Sequence, residues 1–285
     1  MNTSDKTPHV VTSKSYTAVA VNCAAKTGEW IKSKLGQYIS LNIKSSMHDL
    51  VTEIDKGAEQ MIRRLLLTHF PQHTILGEES VDPGKDAAKR ALEKALQEEY
   101  VWIIDPLDGT TNYVHGFPFY SVSIALAHKG EVIVGIVYDP TRDELFVAEK
   151  GKGAYVHGRR MQVAPEQQLG ASLIASGFPT EREHALPANL AGITALAPQV
   201  RNIRTAGSAA LHMAYVAAGR LTGFWELNLN AWDLAAGSLL ISESGGKVTD
   251  TYGRPYHLGV RDVVASNGHI HGSFIEALRE AKAQG

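Results

Sequence analysis

Residues 101–112 read V-W-I-I-D-P-L-D-G-T-T-N, and the proline at position 106 is their strongest constraint. The apolar run from Val101 to Ile104 suits an extended strand. The Pro106 ring keeps Asp105 out of the helical region, so the spacing predicts a strand with Asp105 at its tip. Asp108 follows three residues on, then Gly109, then Thr110 and Thr111, which are placed to start a helix. Two carboxylates and a turn of backbone then converge on one point. The residues alone leave a second reading open. Asp-Pro and Asp-Gly are common turn dipeptides, and the stretch is equally a hairpin turn.

The rest of the chain has to decide between them. Its 285 residues, 44% hydrophobic and 20% charged, can hold one large domain or two smaller ones. A net charge of −2 with no long basic run argues against a nucleic-acid surface. Cys23 is the only cysteine, which excludes an internal disulfide and points to a reducing compartment. Asn2 to Lys6 are polar, unlike the apolar core of a signal peptide. No apolar run is long enough to span a bilayer. These features predict a cytoplasmic enzyme or binding protein with no membrane partner.

Residues 1–15 are expected as a frayed tail, 16–164 as an N-terminal α+β half and 165–285 as a C-terminal α/β half, together one compact catalytic unit. Apolar residues recur helically from Tyr16 to Leu35 and from Asp55 to Phe70, where Pro71 stops the second helix. The polar segment 40–52 reads as a mobile loop. Thr74 to Leu76 form a short strand, and 82–100 hold a charged helix with Ala88, Ala91, Leu92, Ala95 and Leu96 on its packed side. Strands at 119–127, 132–139, 145–149 and 154–156 are separated by turn residues and predict an antiparallel meander. Gly151-x-Gly153 falls at one of those turns and is not a dinucleotide loop. After Pro165, strands at 172–176, 202–204, 222–225, 247–249 and 263–266 alternate with helices at 185–197, 208–218, 234–243 and 270–282, as in a second layered sheet.

Glu78, Asp105, Asp108 and Asp233 each follow a strand or open a helix, where open α/β sheets place their sites. Four carboxylates brought together do not all stay ionised without cations. Hard divalent ions answer this, Mg²⁺ first, and four negative charges balance two such ions. None of the twelve histidines has a spacing to the acids that suggests zinc. Gly109, Thr110 and Thr111 provide a glycine for close approach, amides and a hydroxyl for an anion. Gly207-Ser208-Ala209-Ala210 is a second such helix start, although Ser208 also reads as an ordinary N-cap, as does Asp233. Taken singly, Lys44 is a solvated charge, Asp55 a helix start, and Glu226 an acid after an apolar strand that could accept polyol hydroxyls.

W-I-I-D-P-L-D-G-T-T-N (102–112) and W-D-L-A-A-G-S-L-L-I-S-E-S-G-G (232–246) resemble the two hallmark patterns of the inositol monophosphatase family. D-L-V-T-E-I-D (49–55), G-E-E-S (77–80) and R-T-A-G-S-A-A (204–210) resemble family segments in the family's order. The resemblance implies an α/β (α+β) fold, a layered α/β/α/β/α sandwich of two sheets, the first largely antiparallel, usually assembled as a homodimer. It implies that Glu78, Asp105, Asp108, Asp233 and the Leu107 carbonyl ligate Mg²⁺. Thr110, helped by Asp55, orients or deprotonates the attacking water. Gly109, Thr110 and Thr111 hold phosphate, Ala209 and Glu226 contact the substrate alcohol, and Lys44 lies on a metal-site loop.

The expected reaction is hydrolysis of a small phosphorylated polyol, inositol 1-phosphate, by direct in-line attack of water. One Mg²⁺ lowers the water's pKa, another stabilises the leaving oxygen, and a third enters with substrate. Lithium sensitivity is expected from the family. Relatives also act on fructose 1,6-bisphosphate, 3′-phosphoadenosine 5′-phosphate or histidinol phosphate. The last two branches commonly carry Lys after D-G-T, where this chain has Thr111-Asn112. A regulatory protein associated with transcription machinery is the reading from a different class. Asn228, Asn230 and Ala231 depart from the family pattern, which often has Gly at the first position and a basic residue then Pro at the other two. Asn tolerates the positive φ that Gly implies there.

Overall fold

The computed structural model describes residues 15–36, 41–43, 50–181 and 183–285. Helix α1 (Tyr16–Ser33) begins where the Ser15 hydroxyl accepts a hydrogen bond from the Ala18 amide at 3.3 Å. The segment read as a loop contains two short antiparallel strands, β1 (Leu41–Ile43) and β2 (Leu50–Thr52), with Leu41 opposite Thr52. Lys44 lies outside the described residues. Helix α2 (Glu53–His69) starts two residues before the predicted position, on a capping box. Thr52 caps the helix, and Asp55, at its third position, accepts from the Thr52 amide at 2.8 Å.

Strands β3 (Thr74–Gly77), β4 (Tyr100–Asp108), β5 (Ser121–His128), β6 (Glu131–Asp139), β7 (Glu144–Glu149), β8 (Gly153–Val156) and β9 (Arg159–Arg160) form one sheet in sequence order. Only β3 and β4 run parallel; every other pair is antiparallel. Helix α3 (Lys85–Ala95) packs Ala88, Leu92 and Ala95 beside β3. The second sheet has the order β11 (Asn202–Arg204), β10 (Leu173–Ser176), β12 (Gly223–Glu226), β14 (Val263–Ser266), β13 (Lys247–Asp250). Its β10 is parallel to β11 and β12, and β14 is antiparallel to both of its neighbours.

The central strands are buried on both faces, so they read as continuous apolar runs whose side chains alternate between two cores. Trp102, Ile104, Ile124, Leu126 and Ile136 face α1 and α2. Val101, Ile103, Ala125, Ala127 and Val137 face α6 (Ala209–Ala217) and α7 (Ala231–Glu243), which lie between the two sheets. On the far face of the second sheet, Ile174, Trp225 and Val264 pack against α5 (Ala185–Leu196) and α8 (His271–Glu280). The result is five layers, α/β/α/β/α, and the middle core is continuous across residue 165. No described helix is long and apolar enough to cross a membrane.

The middle layer is thin because its residues are small. A Cβ at Gly135 on β6 would lie 2.7 Å from the Ala236 carbonyl of α7. Gly135→Ala therefore overpacks backbone against backbone. It should lower unfolding free energy by about 1–3 kcal/mol with an unchanged denaturant slope, read by urea unfolding.

Candidate active site

Strand β4 does not end at Asp105. It continues through a bulge, with Asp105 opposite Ser123 and Asp108 opposite Ser121, so three steps on one strand match two on the other. Pro106 breaks the ladder without ending the strand, and both acids stay on it. The Asp105 side chain accepts from the Leu107 amide at 3.0 Å. Gly109 follows at φ 100°, and a Cβ there would press on the carbonyls of Phe119 and Gly207 at 3.1 and 3.2 Å. Only glycine makes that turn without strain. The short helix α4 (Thr110–Val114) then starts as predicted.

Asp108 is buried, and its carboxylate reaches into the C-terminal half. It accepts from the Ala209 and Ala210 amides at 3.2 and 2.9 Å, and from the Ser208 hydroxyl, which also caps α6 by accepting from the Leu211 amide. Burial pushes the Asp108 carboxyl up to about 6 against those hydrogen bonds, with the Glu78 charge adding to the rise. Ser208 is thus an N-cap that also binds a site acid.

Thr110 Oγ1 donates to Asp55 Oδ1 at 2.7 Å and lies 3.1 Å from the Leu107 carbonyl. Asp55 is buried, and burial raises its pKa, opposed by hydrogen bonds from Thr52 and Thr110. Glu78 opens a 3₁₀ turn directly after β3. Glu226 ends β12. Its carboxyl sits well above the usual range, through burial first and then the charges of Asp233 and Asp108. Asp233 is the third residue of α7, which starts at Ala231 with Asn230 as N-cap, so Asp233 itself does not cap the helix. Burial and the charges of Glu78 and Asp108 raise it well above the usual range, while the Asn230 amide at 2.6 Å and Arg261 oppose this.

The structure therefore couples Asp55, Glu78, Asp108, Glu226 and Asp233 electrostatically, although they come from five separate segments. Glu78, Glu226 and Asp233 line a cavity of about 470 Å³ with Phe178, Arg261 and Lys85 at the start of α3. Asp105, Asp108 and residues 109–111 do not line it. Among the described residues, no three acid or histidine side chains close around one point. Asp105, Asp108 and Asp233 each turn a carboxylate oxygen to a backbone amide. The donor set is nonetheless all oxygen, and the charges of Glu78, Asp108 and Asp233 oppose ionisation of neighbouring acids, which fits a hard divalent ion.

Four supporting residues escape a reading of the sequence. Glu59, on α2, accepts from the Glu79 amide at 2.7 Å and from the Ser80 hydroxyl, and pairs with Arg63, so it shapes the turn that presents Glu78. A Cβ on Gly177 would strike the Glu226 carboxylate. Asn112 Nδ2 donates to the carbonyls of Phe119 and Ala206, both at 2.6 Å. His212 accepts from the Ala206 amide at 3.3 Å, so the loop before Ser208 is held from two sides. Glu59, Gly177 and Asn112 meet partners from distant segments only in the fold, and the short His212-to-Ala206 contact depends on how the loop before α6 turns.

The chain matches the inositol monophosphatase family over residues 13–283. It is 42% identical to inositol monophosphatase 2 of Solanum lycopersicum, covering 94% of this chain and 99% of that one. It is 40% identical to the Nus factor SuhB of Pseudomonas aeruginosa, covering 87% of this chain and 90% of that one. Among solved structures, the extragenic suppressor protein suhB of Bartonella henselae superposes with a TM-score of 0.83 at 37% identity, covering 92% of this chain and 98% of that one.

Burial holds His212 neutral and pushes its pKa down to about 3. In the unfolded chain it takes a proton near 6.5. Between those values the unfolded state binds one more proton, so stability present above pH ~6.5 is lost as pH falls toward ~3. At about 1.4 kcal/mol per pH unit, His212 accounts for about 2 kcal/mol of the loss between pH ~6.5 and ~5. Urea unfolding at pH 7 and pH 5 should show a difference smaller by that amount in His212→Asn than in the wild type.

Proposed function

This chain belongs to the inositol monophosphatase family, and from that premise we propose that it is a Mg²⁺-dependent phosphomonoesterase releasing inositol and phosphate from inositol 1-phosphate. Family membership makes it a phosphatase. The observation that carries the divalent-ion part of this reading is the mutual charge effect among Glu78, Asp108, Glu226 and Asp233, a charge excess that cations relieve. Glu78, Asp105, Asp108, Asp233 and the Leu107 carbonyl would hold two or three Mg²⁺. When bound, Mg²⁺ neutralises phosphate charge and makes water more acidic.

Thr110 holds the water in line. Its hydroxyl proton is donated to Asp55 Oδ1, which leaves the Oγ1 lone pairs for a proton of the attacking water. Asp55 has a raised pKa, which suits it to receive the proton relayed through Thr110. Gly109 and Thr111 hold the phosphate with the first-turn amides of α4, which have no partner within their own helix. Ala209 and Glu226 face the leaving alcohol. Fructose 1,6-bisphosphate and other sugar or nucleotide monoesters remain alternative substrates for the same chemistry. The name Nus factor carried by a relative 40% identical favours a second role with transcription machinery, and a homodimer is proposed as the working assembly.

Phosphate release from inositol 1-phosphate, fructose 1,6-bisphosphate, 3′-phosphoadenosine 5′-phosphate and histidinol phosphate, with and without Mg²⁺, tests the reading. The inositol ester should be turned over fastest, only with Mg²⁺, and Li⁺ should inhibit; no release from any ester would favour the regulatory role. Asp105→Asn should abolish both Mg²⁺ binding and turnover. Thr110→Ala should lower kcat by about 10²–10⁴-fold while calorimetric Mg²⁺ affinity stays near wild type.

A further inference from the structure

The turn joining Glu226 to Asp233 carries Asn228 and Asn230 and is gripped from a distant segment. Asn228 has φ 63°, and its amide donates to Asp262 Oδ1 at 2.8 Å. The Leu229 amide donates to the Arg261 carbonyl at 2.9 Å. The Arg261 guanidinium donates through Nη2 to Asn228 Oδ1 at 2.7 Å and to the Asn228 carbonyl at 3.3 Å. Through Nη1 it donates to Asn230 Oδ1. Asn230 passes the order on, since its amide donates to Asp233 Oδ2 at 2.6 Å. At the other end of the turn, Glu226 pairs with Val263, two residues after Arg261. One short segment thus fixes both ends of the turn.

A guanidinium is a flat fork with fixed donor directions, so accepting on both arms leaves Asn228 and Asn230 one relative placement. We propose that Arg261 is a positioning residue that sets the placement of Glu226 relative to Asp233, and thereby couples recognition of the substrate alcohol to divalent-ion binding. The roles of the two acids rest on the phosphatase reading above. The asparagines at 228 and 230 are then acceptors for a cation supplied from outside the turn.

Charge and geometry oppose one another here. Arg261 carries a positive charge near Asp233, so by Coulomb attraction alone its removal would tighten cation binding. If the fork governs, its removal loosens the turn and weakens binding.

The test is Mg²⁺ calorimetry on substrate-free wild type, Arg261→Met, Arg261→Lys and Asn228→Gly, followed by kcat and KM for inositol 1-phosphate at saturating Mg²⁺. The Mg²⁺ dissociation constant should rise about 10-fold in Arg261→Met, the scale on which partners of metal ligands act. Arg261→Lys should weaken binding too, because it keeps the charge and loses the fork. Asn228→Gly, which keeps the positive φ and removes one acceptor, should shift in the same direction by less. KM should rise more than kcat falls in all three. Unchanged or tighter Mg²⁺ binding in Arg261→Met, or wild-type behaviour of Arg261→Lys, would overturn the proposal. Should Arg261→Met fail to fold, Arg261→Lys and Asn228→Gly decide the question by the same readouts. A wild type that binds Mg²⁺ yet hydrolyses none of the esters sinks the phosphatase reading, while the calorimetric series still tests the positioning of the ion site by Arg261.

Discussion

The carboxylate of Asp108 holds the two halves of the site together. It leaves a strand of the first sheet and meets the Ser208 hydroxyl and two backbone amides at the start of α6, in the layer beneath the second sheet. A buried carboxylate at a helix N-terminus gains from the hydrogen bonds and from the helix dipole. That gain does not cancel burial, since the carboxyl remains raised to about 6. The same residue therefore serves as a tether and as part of a charge excess.

The tether works only because the layers approach closely. Gly135 and the alanines of β5 leave room for α7, and α7 delivers Asp233 from its first turn. Gly109 and Gly177 make comparable room at the site, one for two carbonyls and the other for the Glu226 carboxylate. Acids from distant segments are brought close by thin packing, and their repulsion follows from it. A divalent cation is the simplest physical partner for such an arrangement.

Much of this was legible in the sequence, for identifiable reasons. Strands buried on two faces announce themselves as apolar runs, and turn residues mark the meander, so the two sheets and most helices fall where the patterns put them. The site acids stand in recognisable local motifs. Helix starts were less legible. Asp55 and Asp233 are both third residues of capping boxes, and a carboxylate there looks from sequence like the cap itself. The bulge after Asp105 depends on pairing with β5, and the strands at 41–43 and 50–52 on pairing with each other, which no local pattern reports. Glu59 and Arg261 act on loops far along the chain, and only the fold brings them there.

Under the proposed function, mutual repulsion among Glu78, Asp108, Glu226 and Asp233 draws a divalent ion to the site. The most direct measurement is the thermal unfolding midpoint, titrated with MgCl₂ and with NaCl at matched ionic strength. A site of this kind gives a saturable rise in Tm with Mg²⁺, following the mass-action form for a ligand bound only by the folded state, and no such rise with Na⁺. Identical, non-saturating shifts in the two salts would mean that the acids are merely screened, and would contradict the account.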